Sequence, residues 1–274
     1  VTAALVALRV YPLKGGRGLA VERWPLDACG LRFDRRWMAV TPEGRAITQR
    51  THPLLARIVP AVGNDELMLS APAGPPLVLP LDSAPAPRRE VSIWRDVVTA
   101  ADLGDDAARW ISDALGAAAR LVHMPDDSVR EVNRAYGRQG DRVAFADAYP
   151  LLLISQASLD DLNRRLERPV PMNRFRPNLV VDGVAPFAED GWARIAIGGV
   201  PFDVVKPCAR CEVPTIDQDT AIRGQEPIRT LAKFRRVGND VYFGQNLIHR
   251  DAGEVAVGAD VTILERREPL VPAG

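Results

Sequence analysis

Arg36-Trp37-Met38-Ala39-Val40, Glu66-Leu67-Met68-Leu69, Leu77-Val78-Leu79 and Val91-Ser92-Ile93-Trp94 follow one another along the first half of the chain, each cut off by Gly, Pro, Asn or Asp. Short apolar runs closed by turn residues are what a small β-barrel or sandwich requires. Upstream, Leu5-Val6-Ala7-Leu8-Arg9-Val10-Tyr11-Pro12 reads as a strand that ends at a proline, followed by the turn Gly15-Gly16-Arg17-Gly18. The Pro/Ala-rich run from Leu81 to Arg89 reads as a surface loop. Downstream, Ala108, Ile111, Ala114 and Leu115 recur at helical spacing and Gly116 is a stop, so a helix is predicted from Asp105 to Leu115.

A second set of strands follows. Leu151-Leu152-Leu153-Ile154-Ser155 is a buried-strand pattern, and Ser158-Leu159-Asp160-Asp161 predicts a capped helix running to Leu166. Further strands are predicted at 178–181, 193–197, 202–205, 241–247 and 261–264, with a helix from Pro227 to Arg236. The polar segment 126–147 is expected to be a long loop. The fold class is therefore mostly β (α+β) with a few peripheral helices. A chain of 274 residues fits two domains, and the expected division is 1–120 and 121–274.

Charge and cysteine content narrow the setting. With 35 basic and 35 acidic residues the formal net charge is zero, so no overall field draws the chain to nucleic acid or to an anionic membrane. No run reaches the ~18–20 apolar residues of a membrane span, and no leader-like start is present. Three cysteines do not make an even disulfide framework. A cytoplasmic protein without nucleic-acid or membrane partners is expected.

The chemistry is expected at Lys206-Pro207-Cys208-Ala209-Arg210-Cys211-Glu212-Val213-Pro214-Thr215-Ile216-Asp217, which holds two of the three cysteines beside two cations. A thiolate is the nucleophilic and metal-binding form of cysteine, and nearby cations favour it. Cys208-x-x-Cys211 is compatible with a structural zinc half-site, a thioredoxin-like redox pair, a single metal-bound thiolate with an accessory cysteine, or two ordinary cysteines. Zinc would need further ligands, which Cys29, His52, His123 and His249 do not offer at a paired spacing. A redox pair would normally open a helix, whereas this one leads into a segment that reads as extended.

Asn173-Arg174-Phe175-Arg176-Pro177-Asn178 places two arginines and two amides around an aromatic residue, a composition able to clamp an anion or to line a strand edge. Lys14 and Arg35 add cations near strand ends. Ser155 and Ser158 could bind an anion at a helix start or simply cap the helix. No phosphate-binding glycine loop, dinucleotide fingerprint or His-Glu-x-x-His motif is present.

In their order these blocks resemble the molybdenum cofactor sulfurase C-terminal (MOSC) domain proteins that carry an N-terminal β-barrel domain. Tyr11-Pro12-Leu13-Lys14, Gly30 to Met38 and Thr48-Gln49-Arg50 with Pro53-Leu54-Leu55 look like the N-terminal domain. Phe145-Ala146-Asp147, Ser155 to Leu159, Asn163, the 173–178 block, 208–217 and Phe243-Gly244-Gln245-Asn246 look like MOSC itself, most similar to the amidoxime-reducing subgroup.

The resemblance implies a molybdenum-molybdopterin cofactor with Cys211 as its protein ligand and Cys208 accessory. Lys14, Arg35, Ser155, Ser158, Asn173, Arg174, Arg176, Asn178 and Arg210 are then candidate cofactor-binding residues, and Asp217 a catalytic candidate close to the metal or on the substrate side. The implied activity is reduction of N-hydroxylated or related N- or S-oxygenated small molecules. No cysteine follows Cys211, so no iron-sulfur cluster is expected here, and electrons are expected from a separate protein of ferredoxin or reductase type. Two other functions remain open, a molybdenum cofactor or sulfur carrier and a CxxC thiol-disulfide oxidoreductase. Pro214, Gln218 and Ala221 stand where threonine, proline and glycine are usual in amidoxime reducers, departures that bear on substrate preference.

Overall fold

The computed structural model describes residues 3–83 and 86–271. The loop expected over Leu81–Arg89 includes positions 84 and 85, which lie outside the described residues. The first half is built from an antiparallel sheet of Trp37–Val40, Arg120–His123, Asp96–Asp102 and Arg88–Ile93, in that spatial order, beside a meander of Val59–Val62, Glu66–Ser70 and Leu77–Pro80. The meander shows the period of two that makes a half-buried strand: Leu67 and Leu69 are fully buried while Glu66 and Met68 face outward. The helix Gly104–Leu115 buries Ala107, Ile111 and Leu115 against Trp37, Ala39 and Leu121, and left-handed Gly116 ends it as its lack of a Cβ permits.

Within this half His123 is buried, its ring 4.6 Å from that of Trp37 and its Nδ1 2.5 Å from Ser83 Oγ. Burial pushes its pKa down from 6.5 to about 3. The unfolded chain therefore binds this proton more readily, and His123 opposes folding progressively as pH falls from about 6.5 towards 3. Above 6.5 the penalty is absent. A His123→Gln variant is expected to lose up to about 1.4 kcal/mol less stability per pH unit across that window than the wild type, read by urea denaturation between neutral and mildly acid pH.

The strands of the second half form, with Ala4–Val10 and Leu19–Val21 from the N-terminus, a nine-stranded sheet in the order Val261–Arg266, Trp192–Ile197, Val200–Ala209, Asp240–His249, Leu151–Ser155, Leu179–Asp182, Ala4–Val10 and Leu19–Val21, with Arg236–Val237 paired to Asp240–His249. The N-terminal strand is thus hydrogen-bonded to a strand far along the chain, Leu8 opposite Leu179. Leu151–Ser155 and Leu179–Asp182 are parallel, so their connection must cross over, and the helix Gln156–Arg164 lies in it. One face of the sheet packs Leu5, Leu8, Leu153, Ile195, Phe202 and Leu247; another cluster joins Leu152, Ile154, Phe175 and Phe243 to Leu159 and Leu162 of the helix. Among the described residues no helix is long and apolar enough to cross a membrane.

Two helix expectations need correction. The capped helix starts at Gln156, because Ser155 rather than Ser158 is the N-cap: its Oγ accepts the Ser158 N–H at 3.1 Å. The helix expected over Pro227–Arg236 is limited to Ile228–Leu231, after which the chain turns and buries Arg235 against Asp190. The long 126–147 segment is irregular, as expected, yet tied down by the Glu131–Arg142 bridge and by Arg130, whose guanidinium donates to the carbonyls of Ala144, Ala146 and Asp147.

The strands nearest the cysteines are bulged. Pairing between Val200–Ala209 and Asp240–His249 shifts register between Pro207 and Ala209, opposite Gly244 with φ 82°. Beyond Asp203 the strand Val200–Ala209 has no ladder to Trp192–Ile197, so Pro207 loses no hydrogen bond on that side. A Cβ at Gly244 would lie 2.6 Å from Ile154 Cγ1 and 2.8 Å from the Leu153 carbonyl oxygen. Gly244→Ala is expected to cost about 3 kcal/mol, from backbone strain and a clash that cannot relax, and to show as a lowered denaturation midpoint.

Candidate functional site

A pocket opens where the two halves meet. Lys14, Arg35, Gln49 and Arg50 come from the first half; Asp147, Tyr149, Leu152, Phe175, Arg176, Asn178, Cys208, Arg210, Cys211 and Asn246 come from the second. Six of the candidate residues, Lys14, Arg35, Arg176, Asn178, Arg210 and Cys211, are brought together here.

Arg35 and Arg176 share a stacking post. Both have left-handed backbone, φ 50° and 58°, and each guanidinium carbon lies 4.4 Å from the centroid of the Tyr11 ring. Tyr11 is itself fixed by donation from its hydroxyl to the Pro177 carbonyl at 3.0 Å. Such strain in non-glycine residues persists only where the surroundings over-determine it, and it clusters at functional sites. Arg35 donates to Asn178 Oδ1 at 2.9 Å and pairs with the buried carboxylate of Asp34. Asn178 completes the hub by donating to Asp34 at 3.0 Å and to the Arg9 carbonyl at 3.1 Å.

Arg176 and Arg210 differ from Arg35, because among the described residues neither forms an ion pair with a carboxylate. Beyond its stacking on Tyr11, the Arg176 guanidinium donates to Gln218 Oε1, at 3.4 Å, and burial pushes its pKa down to about 10. Arg210 donates to the Phe175 carbonyl at 2.8 Å and to Cys208 Sγ at 3.1 Å, while its buried Nε has no protein partner. On the other wall, Lys14 Nζ donates to Asp147 Oδ1 at 2.6 Å and to the Phe145 carbonyl at 2.7 Å. Burial alone would raise the Asp147 pKa, but Lys14 and Arg50 outweigh it and hold the carboxyl well below the usual range. The lining is therefore strongly cationic and suited to an anion.

Cys208 and Cys211 are free thiols at the end of Val200–Ala209 and in the turn after it. Arg210 N–H closes the turn onto the Val241 carbonyl at 2.7 Å. The pair thus lies at the end of a strand, and the segment after it, expected to be extended, is instead a single turn of 3₁₀ helix at Val213–Thr215, which the proline in that turn permits. Cys29 is buried apart from the pocket, where desolvation pushes its thiol up to about 11.

The remaining candidates are placed elsewhere. Ser155 and Ser158 are fully buried and surround Glu189, which accepts from Ser155 N–H at 3.1 Å and Ser158 Oγ at 2.8 Å. They hold the helix start, not the pocket. Asn173 lies in a short turn of 3₁₀ helix outside the lining. Arg174 and Asp217 bind each other at 3.2 Å, with Arg174 Nε also donating to the Pro214 carbonyl at 2.8 Å. Asp217 further accepts from the Asp219 and Thr220 N–H groups and the Thr220 hydroxyl, so both side chains staple the loop after Cys211.

Two of the unusual positions acquire a physical reading. Gln218 and Gln49 exchange reciprocal amide bonds of 3.0 and 3.1 Å, joining that loop to the first half. Ala221 has φ 61°, the backbone for which glycine is suited. Gln49, Arg50, Asp147 and Tyr149 also line the pocket. The blocks Thr48-Gln49-Arg50 and Phe145-Ala146-Asp147 are the sequence signals for the first three, and Tyr149 has none.

A cationic pocket with two thiols, set between the sheets of the first half and a bulged β-sheet, is the site, and the sequence matches give its class, a MOSC-type protein. Residues 2–118 match the MOSC N-terminal beta barrel domain and residues 140–262 the MOSC domain. The chain belongs to this family. It is 37% identical over 276 residues to mitochondrial amidoxime-reducing component 1 of Mus musculus, covering 94% of this chain and 81% of that protein. The Homo sapiens protein of the same name is 34% identical, with 94% and 82% covered. Molybdenum cofactor sulfurase of Danio rerio is 31% identical over 90% of this chain, a stretch that makes up 32% of that larger protein.

Proposed function

We propose that this protein is a molybdenum-cofactor-dependent reductase of N-hydroxylated or related N- or S-oxygenated small molecules, supplied with electrons by a separate donor protein. The observation that carries the proposal is the combination, in one pocket, of free thiols with two arginines, Arg176 and Arg210, that have no carboxylate partner among the described residues. Among the described residues no group of three or more His, Cys, Asp or Glu side chains is set to hold a metal ion. A metal at Cys211 would therefore have to bring ligands of its own, as a dithiolene cofactor does, and a soft thiolate suits that metal. Similarity to the amidoxime-reducing components supports the substrate class.

In this reading Cys211 ligates the metal, and Arg176 and Arg210 hold the anionic groups of the cofactor by charge-assisted hydrogen bonds. Arg35 and Asn178 keep Arg176 and the strand ends in register, and Lys14 fixes Asp147 as a carboxylate on the facing wall. When bound, the cofactor supplies the two-electron chemistry that reduces an N–O bond, and the protein supplies a preorganised polar enclosure.

The similarity to a cofactor sulfurase keeps a carrier role as the second reading. Turnover separates the two. Protein from a cofactor-competent host, given a chemical electron donor and an amidoxime, should form amidine catalytically; release of cofactor to an acceptor without turnover would favour the carrier. The thiol-disulfide reading draws no support from a pair that ends a strand, is followed only by a three-residue 3₁₀ turn and has Arg210 bonded to one of its sulfurs.

A further inference from the structure

Trp94 occupies the two-residue turn between Arg88–Ile93 and Asp96–Asp102, with Ile93 opposite Asp96. Its φ of 55° is the conformation that favours glycine at such a turn, and its side chain is not buried in return: the residue is 55% exposed. Neither local backbone preference nor core packing accounts for an indole here. The indole is nevertheless held in place. Nε1–H donates to Asp147 Oδ1 at 3.3 Å, and the Arg50 guanidinium lies 4.4 Å from the ring centroid. Asp147 and Arg50 both line the pocket that contains Cys211.

The hairpin is also anchored from below. Buried Arg130 donates to Asp96 Oδ2 at 2.6 Å and to the Ala146 and Asp147 carbonyls, coupling the turn to the pocket wall. Tyr149, in the lining, adds a second aromatic surface.

We propose that Trp94, which lies outside the pocket lining but touches Asp147 and Arg50 of it, is a specificity-determining residue whose exposed indole offers an aromatic surface beside the pocket and selects N-hydroxylated substrates bearing a flat aryl group over alkyl ones. This rests on the reductase reading above. A flat ring can stack on the indole surface that Arg50 leaves open, whereas a short alkyl group gains little from it.

The test compares benzamidoxime with acetamidoxime on holoenzyme with a chemical donor, using wild type, Trp94→Phe and Trp94→Gly. Glycine suits the turn, so Trp94→Gly should fold, which a melting curve checks. The aryl-to-alkyl ratio of kcat/KM is expected to fall about tenfold in Trp94→Gly, mainly through KM for the aryl substrate, and to be largely kept in Trp94→Phe. An unchanged ratio, or equal losses on both substrates, overturns the inference. Quenching of tryptophan fluorescence by benzamidoxime gives a readout independent of turnover, expected in wild type and lost in Trp94→Phe. If wild type reduces neither amidoxime, the reductase reading fails, and the quenching still decides whether Trp94 binds an aryl ligand: absent quenching overturns it.

Discussion

Cys211→Ala is expected to lose its molybdenum and all donor-dependent turnover, while Cys208→Ala keeps most of both. The two thiols share one pocket and stand three positions apart, so the asymmetry has to come from their surroundings. Cys208 lies in the strand; its sulfur already accepts from Arg210 at 3.1 Å and packs beside the cluster of Leu152, Phe175 and Phe243. Cys211 lies past the last strand pair, in the turn that Arg210 closes onto Val241. A serine at position 211 should fail almost as fully as alanine, since a hydroxyl is neither soft nor ionised near neutral pH. Equal metal loss from both alanine variants would contradict the assignment of Cys211 as the single ligand.

Arg176→Gly should move two properties in opposite directions. Without cofactor, the wild type bears a left-handed arginine whose charge is desolvated and has no carboxylate partner among the described residues. Glycine removes the strain and the desolvated cation together, a gain of about 1–2 kcal/mol that should raise the melting temperature of the cofactor-free protein by a few degrees. In the proposed function the same change would remove a charge-assisted contact to the cofactor's anionic groups, and pterin retention should weaken on the order of 10–100-fold. Arg176→Lys, which keeps the charge without the planar fork, should fall between. A variant that loses stability and cofactor together would show that Arg176 is structural.

The strands were largely legible because their periodicity is local. Glu66–Ser70 alternates cleanly, and the buried run at Leu151–Ser155 is unbroken by polar residues until its end. Asp96–Asp102 carries no such signal, since its buried positions Val98, Ala100 and Ala101 are small and its flanks charged. Val200–Ala209 runs past Pro207, which would normally argue for a stop, because the strand is unpartnered on one side there.

The site was legible in residue type but not in direction. Arg174 and Arg176 look alike in the sequence, yet one staples the Asp217 loop and the other enters the pocket; the left-handed turn at Arg176, stabilised by Tyr11, makes the difference. Ser155 and Ser158 show the same limit, because a hydroxyl at a helix start serves a cap as well as an anion. The pairing of Lys14 with Asp147 joins residues brought together only by the fold.

Molybdenum and pterin content of the wild-type protein, purified from a host able to make the cofactor, tests the central claim most directly. About one equivalent of each per chain is the predicted result, with both falling together in Cys211→Ala. Well-folded wild type containing neither metal nor pterin would contradict the account.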